Sequence, residues 1–249
     1  MTIGARFYPR GTRLGLHVHR EAQLLFASSG VMQVTTPKGH WLVPPARAVW
    51  LPPGIEHAVD MLADIEMRAL LIQPEQLAQH PAAPRLQSEF VATVGPLLRE
   101  TILGAFKADS HPQRLALLLE LALFELVEDE DARTFMPMPH DARARRVADM
   151  ILADPANGSE LELLAYSAGA SARTITRLFP AETNLTFKEW RQRARIMAAV
   201  EALGNGQTSI KQLALQLGFS SVASFGHAFR QIMGMTPSEM MRRSESAAP

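Results

Sequence analysis

The last third of the chain carries one pattern written twice. Leu161 to Phe187 reads LELLAYSAGASARTITRLFPAETNLTF, and Ile210 to Pro237 reads IKQLALQLGFSSVASFGHAFRQIMGMTP. Ala165 and Gly169 recur about fifty positions later as Ala214 and Gly218. Ile175, Phe179, Asn184 and Thr186 recur in the same way as Phe225, Phe229, Gly234 and Thr236.

Each repeated residue type has a job in a helix-turn-helix. Ala165 and Ala214 let two helices cross closely. Gly169 and Gly218 suit the left-handed turn after a short helix. Ser171, with Ser220 or Ser221, suits the N-cap of the helix that follows. Within that helix Ile175 and Phe179, or Phe225 and Phe229, stand four apart and face inward. Asn184 and Gly234 mark equivalent exits at positive φ. Pro180 is expected to end the first of these helices after about two turns.

The residues left to face outward are small, polar and basic. They are Ser171, Arg173, Thr174, Thr176 and Arg177 in the first copy, and Ser221, Ser224, His227, Arg230 and Gln231 in the second. Small residues let a helix enter a DNA major groove about 12 Å wide, while Arg, Gln and Ser reach base edges or phosphates. One copy alone also fits a structural scaffold; two copies joined by a helix favour double-stranded DNA. The joining helix, expected over Thr186 to Leu203, sets Trp190, Ala194, Met197 and Val200 on one stripe. Lys188, Arg191, Arg193 and Arg195 stand on its other face, where phosphate contact is expected.

Residues from Arg145 to Arg242 resemble the DNA-binding domain of the AraC/XylS family of bacterial transcription regulators. Leu164, Ala165, Gly169, Ser171, Arg177, Phe179, Trp190, Arg195, Ala214, Gly218, Phe219, Ser220, Phe225, Phe229, Gly234 and Pro237 carry the resemblance. It implies two recognition helices in successive major grooves on one side of the duplex. Asn184 stands where glycine is usual in that family, and asparagine also supports the turn.

A DNA-binding chain with zero formal net charge is unexpected, and the 249 residues resolve the point when divided. From Pro139 onward 13 Lys and Arg face 10 Asp and Glu, a net +3, and the remainder carries −3. The arginine clusters therefore matter more than the sum. With no Cys there is neither a disulfide framework nor a cysteine–zinc site. No apolar leader follows a basic start and no run of about eighteen apolar residues occurs, so a cytoplasmic protein with no membrane partner is expected.

The front of the chain has a different grammar. Short β-rich pieces run from Leu14 to His19, Gln23 to Ala27, Val31 to Thr35, His40 to Val43, Ala48 to Leu51, His57 to Asp60 and Glu66 to Ile72. Pro37 to Gly39, Pro44 with Pro45, and Pro52 to Gly54 punctuate them, which argues for an all-β barrel or sandwich. Gly11 to Gly30 contains HVH followed by Gln23, and Pro52 to His57 reads PPGIEH. These stretches resemble the two cupin motifs, which imply a small barrel holding a metal or small molecule at its mouth.

His17 and His19, two apart on a strand, should share a face. With His57 they supply three imidazoles suited to a divalent transition metal such as Zn, Fe, Ni or Cu. Gln23 stands where a metal-binding cupin usually has Glu. Three readings stay open at this stage: His17, His19 and His57 as metal ligands, those three with Gln23 as a polar pocket for an organic effector, or structural histidines.

Pro74 to Pro84 is linker-like. Two helical patterns follow, Leu86 to Phe106 and His111 to Asp129. In the second, Leu115, Leu118, Leu119, Ala122 and Leu126 form a stripe that Leu117, Leu121 and Phe124 widen. So broad a stripe suits either burial against the barrel or a homodimer seam. The acidic run Glu128 to Asp131 ends that helix, and Phe135 to Pro139 reads as a connector.

The expected fold class is α+β in two domains. A cupin-like sensor barrel over residues 1–80 is followed by a helical linker and dimerisation region over 85–130. An all-α DNA-binding domain covers 139–245, with helix-turn-helix modules at 161–182 and 208–231 joined by a linker helix. The expected function is a homodimeric, sequence-specific transcription regulator controlled by a small-molecule or metal effector. By resemblance it is an activator, with RNA polymerase as its partner in that case. The competing reading is a cupin metalloenzyme, an oxygenase or isomerase, with an accessory DNA-binding tail.

Overall fold

The structure, a computed structural model, describes residues 2–45, 47–107, 111–128, 132–204 and 209–245. It divides into one unit built on Met1–Pro37 and Trp41–Phe135 and another built on Lys38–His40 and Met136–Glu245.

Two five-stranded sheets dominate the first half. In spatial order the first holds β1 (Thr2–Tyr8), β8 (Ile65–Ile72), β3 (Ala22–Ser29), β6 (Arg47–Leu51) and β9 (Phe90–Thr93), each antiparallel to its neighbours. The second holds β10 (Phe135–Pro137), β5 (Gly39–Val43), β4 (Met32–Thr36), β7 (His57–Met61) and β2 (Arg13–His17), with β4 and β2 antiparallel to β7.

Leu25, Ala27, Val49, Leu51 and Ile65 of the first sheet pack with Met32, Val34, Trp41, Val59 and Met61 of the second. The other face of the first sheet, with Leu24, Phe26, Trp50 and Leu70, packs against α2 (Pro96–Ala105) and α3 (Pro112–Glu128), while a short α1 (Pro74–Ala78) adds Leu77. A sheet covered on both faces needs apolar residues at nearly every position, and β3 and β6 are buried almost throughout. The second sheet is covered on one face, so β4 and β7 alternate buried and half-buried residues. Trp50, fully buried, satisfies its indole by donating to the Leu86 carbonyl at 3.0 Å.

Three strands lie outside the sequence expectation. β1 is an edge strand, exposed or half-buried along its described side chains, so it carries no apolar alternation. β9 replaces the front of the helix expected from Leu86, because Phe90 to Thr93 pairs with β6 and Pro96 starts the real helix at its first turn. β10 occupies part of the expected connector. The linker-like Pro74 to Pro84 contains α1 and the start of a 3-10 turn at Ala83–Leu86. Of the acidic run, Asp129 to Asp131 lie outside the described residues.

The second unit is helical: α4 (Ala142–Ala153), α5 (Leu161–Ser167), α6 (Ala172–Thr183), α7 (Phe187–Gly204), α8 (Ile210–Gln216), α9 (Val222–Met233) and α10 (Pro237–Glu245). α7 packs against α6 on one side of the repeat and against α8 and α9 on the other. Trp190, Ala194 and Val200 are its buried seam, and Trp190 donates to the Pro137 carbonyl at 2.7 Å. No described helix is long and apolar enough to cross a membrane.

The expectation that Pro180 ends α6 is corrected: the helix continues to Thr183. Proline removes one N–H and crowds the preceding turn, yet Pro180 is exposed, so its ring displaces no core contact. Beyond it, Thr183 Oγ1 donates to the Phe179 carbonyl at 2.6 Å and the Asn184 N–H to the Pro180 carbonyl at 3.1 Å. Asn184, at φ 56°, then closes the helix in the left-handed conformation, as Gly234 does for α9 at φ 72°.

Candidate nucleic-acid interface and effector pocket

The two modules repeat in their hydrogen bonds as well as their letters. Ser171 caps α6 by accepting from the Thr174 N–H at 3.2 Å, and Ser221 caps α9 by accepting from the Ser224 N–H at 3.1 Å. Of the two serines open as the second cap, Ser221 is the one used. Thr186 and Glu189 then form a reciprocal capping box at the start of α7, and Thr236 with Glu239 repeats it at α10. These bonds hold both glutamates below the ordinary carboxylate pKa.

Capping divides the candidate DNA-binding residues. The hydroxyls of Ser171 and Thr174 meet each other at 3.0 Å, and the Ser224 hydroxyl donates to the Ser221 carbonyl at 2.8 Å. These four residues frame the helix starts. Thr176 spends its proton on the Ala172 carbonyl at 2.9 Å, leaving its outer side as methyl and lone pairs. Arg173 and Arg177 on α6, and His227, Arg230 and Gln231 on α9, are exposed. The opposite faces are sealed: Ile175, Phe179, Phe225 and Phe229 have no exposed surface.

On the basic face of α7, where phosphate contact is expected, Arg191, Arg193 and Arg195 are half-buried. Arg191 donates to the Ser159 carbonyl at 3.2 Å and lies 5.2 Å from the Phe187 ring centre. Arg195 donates to the Pro155 and Gly218 carbonyls at 3.2 and 3.3 Å, and burial, then the charge of Arg191, lowers its pKa. Both still border a cleft of about 500 Å³ with Lys188, Ser220, His227 and Gln231, so α7 supplies positive charge beside the outward face of α9. Arg193 sits close enough to Glu189 to help depress its pKa.

In the first unit, β2 and β7 create the second candidate site. Leu14 pairs with Val59, but His17 pairs with His57, because one extra residue bulges from β2 between them. An unbroken register would set Leu16 opposite His57 and point His17 the other way. The strand ends at His17, which corrects the expectation that His19 lies on it. His19 joins the cluster from the following turn, where its carbonyl accepts from the Gly54 N–H at 2.9 Å. The ring centres of His17, His19 and His57 are 4.3 to 5.5 Å apart, and their candidate ligand nitrogens all lie within 4.8 Å of one another.

His57 is 1% exposed. Its Nδ1 meets the Ile55 carbonyl at 3.0 Å, and that of His17 meets the Gly15 carbonyl at 2.6 Å. A carbonyl only accepts, so both Nδ1 atoms carry a proton. The Nε2 of His57 has no hydrogen-bond partner. Burial lowers the pKa of His57 and of His19. Gln23 lies on β3 in the other sheet, paired with Leu51 and sharing the inward parity of Leu25 and Ala27. Its Oε1 is also buried without a partner.

Residues 2–127 match the family model of the AraC-like ligand binding domain, just over half of the chain, and residues 164–243 match a helix-turn-helix domain. This chain belongs to the AraC family of transcription regulators. Over 240 residues it is 28% identical to the HTH-type transcriptional regulator NimR of Escherichia coli K12, spanning 94% of this chain and 84% of that one. It is 38% identical over 102 residues to the HTH-type transcriptional regulator RipA of Corynebacterium glutamicum, covering 41% of this chain and 30% of RipA. A crystal structure of ToxT from Vibrio cholerae with unsaturated fatty acid bound aligns over 100% of this chain and 97% of that one, at 14% identity and a TM-score of 0.42.

In this AraC-family regulator the helix-turn-helix domain binds DNA and the N-terminal domain is a ligand-binding domain. Sequence reasoning missed one pair of hydrogen bonds in the DNA-binding unit, each from an arginine to a backbone carbonyl. Arg146 on α4 donates from Nε and Nη2 to the Ala168 carbonyl at 3.2 and 2.6 Å, just before the turn glycine of the first module. Arg195 does the corresponding work in the second module, 49 positions later. That spacing equals the interval between Gly169 and Gly218, a signal that extends the repeat upstream of its apparent start.

Proposed function

We propose that the chain is a homodimeric, sequence-specific activator of transcription that reads DNA with α6 and α9 and is controlled by an effector held at the histidine cluster. One observation carries the DNA-reading assignment. Two capped helices each bury an aromatic or aliphatic face completely and turn Arg173 with Arg177, or His227 with Arg230 and Gln231, to solvent. Arginine and glutamine are the side chains that pair bidentately with guanine and adenine edges in the major groove.

Support for the dimer comes from α3. Leu117, Leu121 and Phe124 lie at helical spacing and are 61, 37 and 41% exposed, while Leu119, Ala122, Leu123 and Leu126 on the other side are buried. An apolar stripe left outside suits a second copy of the same helix. RNA polymerase is the partner that an activator needs. The relatives are named as transcriptional regulators, which favours regulation over metalloenzyme catalysis.

Nuclease protection of the region upstream of its own gene tests the reading. A discrete protected stretch is expected, bound roughly 10³-fold or more tighter than random DNA. Equal affinity for both overturns sequence-specific regulation.

A further inference from the structure

We propose that α9 selects thymines through their C5 methyl groups, with Val222 and Ala223 as the contacts and Gly226 admitting the duplex, while α6 selects guanines. The inference rests on the reading of both helices as DNA-contacting and names the bases that each one prefers.

The two helices compare position by position. Both run for 12 residues from a serine cap, Ser171 or Ser221, and both close on a left-handed residue, Asn184 or Gly234. Equivalent positions therefore lie 50 apart, one more than the turn glycines, because the second turn carries an extra residue. Ile175 and Phe225, then Phe179 and Phe229, fill the same inward places and are fully buried. The outward stripe in the first half of α6 is Arg173, Thr176 and Arg177; in α9 it is Ala223, Gly226 and His227. The N-terminal part of a recognition helix is what meets base edges. That part is long and charged in one module and short in the other.

The start of α9 is also apolar where it is exposed. Val222 is 44% exposed, whereas its counterpart Ala172 is small and half-buried. Ala223 is exposed beside it. Gly226 extends the same surface one turn further. A Cβ added there would meet nothing within 4 Å, so packing does not require a glycine. Its φ is not positive, so no turn requires one either. Glycine destabilises a helix relative to alanine, and what it offers in return is a backbone that a ligand can approach closely.

Base chemistry then separates the two modules. In the major groove thymine presents its C5 methyl, which apolar side chains contact. Arginine pairs with O6 and N7 of guanine. Val222 and Ala223 suit the first edge, and Arg173 and Arg177 the second.

The test begins with selection of duplexes from a random-sequence pool by the full chain. Two blocks are expected, one defined by guanines and one by thymines. Uracil in place of thymine in the second block deletes only the methyls. Affinity should fall roughly fourfold for each methyl contacted, the effect of exposing one methyl-sized apolar group. 7-Deazaguanine in the first block, which lacks the N7 acceptor, should also weaken binding. The double variant Val222→Ser, Ala223→Ser, changed at exposed positions and checked for native circular dichroism, should bind thymine and uracil duplexes alike. It should still respond to 7-deazaguanine. Gly226→Ala should resist denaturant better than the wild type yet bind the selected duplex more weakly. Wild-type affinity indifferent to uracil, undiminished uracil sensitivity in the folded double variant, or unimpaired binding by Gly226→Ala overturns the proposal and keeps the regulator. Failure to enrich any sequence overturns the regulator itself, and the proposal with it.

Discussion

Arg195 donates from Nη1 to the Gly218 carbonyl oxygen at 3.3 Å, and a Cβ at position 218 would stand 3.1 Å from Nη2 of the same guanidinium. Gly218 is at φ +71°, so glycine serves there twice, for the turn and for the approach of the arginine. Arg146 and Gly169 repeat the relationship more loosely, with a Cβ at 169 lying 3.8 Å from Arg146 Nη2. Each arginine ties the helix before a module to the turn inside it, and so helps position the second helix of that module.

Arg195→Ala should therefore act first on stability. Hydrogen bonds from a charged group contribute about 1.5–3 kcal/mol, and a loss of that size is expected in denaturant unfolding. The dependence of DNA affinity on salt should keep its slope. A slope lower by about one unit, with stability unchanged, would instead make Arg195 a phosphate contact.

Arg173 and Arg177 have no such internal duty. Replacing either with Ala should weaken binding to the specific site by roughly 1–3 kcal/mol and relax preference at one base position. Competition against single-base variants of the site measures this, and a uniform loss on specific and random DNA reassigns the residue to phosphate.

Leu121→Glu places a charge in the middle of the exposed stripe of α3 without entering the buried one. Sedimentation should show wild-type dimers and variant monomers with similar thermal stability. Dimers of undiminished affinity in the variant contradict the α3 seam.

The buried His57 makes the N-terminal unit acid-sensitive. Burial depresses its folded pKa below the ordinary 6.5, against a smaller raising effect from the Ile55 carbonyl, and the charges of His17 and His19 depress it further. His19 is depressed in the same direction, with Glu21 opposing. Protons then bind the unfolded chain more readily than the folded one, so stability is full above about pH 6.5 and falls as pH drops below it. His57→Gln should flatten that fall in unfolding measured from pH 7.5 to 5. An equally steep fall in the variant removes His57 as its source.

Local chemistry explains what could be read from the residues alone. The duplicated modules are written in turn glycines, serine and threonine caps and apolar residues four apart, all of which act within a dozen neighbours. Ser171, Gly169, Ile175 and Phe179 needed no distant partner to declare their roles, and neither did their counterparts in the second copy. Pro180 misled because a helix-breaking residue is tolerated where its ring meets solvent and Asn184 completes the exit. β9 was illegible because its partner β6 lies some forty residues away and nothing local distinguishes FVAT from the start of a helix.

By itself, then, the order of residues determined that two helix-turn-helix modules follow a β-rich domain bearing histidines at His17, His19 and His57. Only the tertiary structure decided that those three meet, since a single bulged residue in β2 brings His17 opposite His57 and one step of register would have turned it away. It likewise decided that Arg195 faces a carbonyl as well as the cleft. Pairing between strands and the burial of a charge depend on which distant segment packs alongside, and that choice is made by the whole core at once.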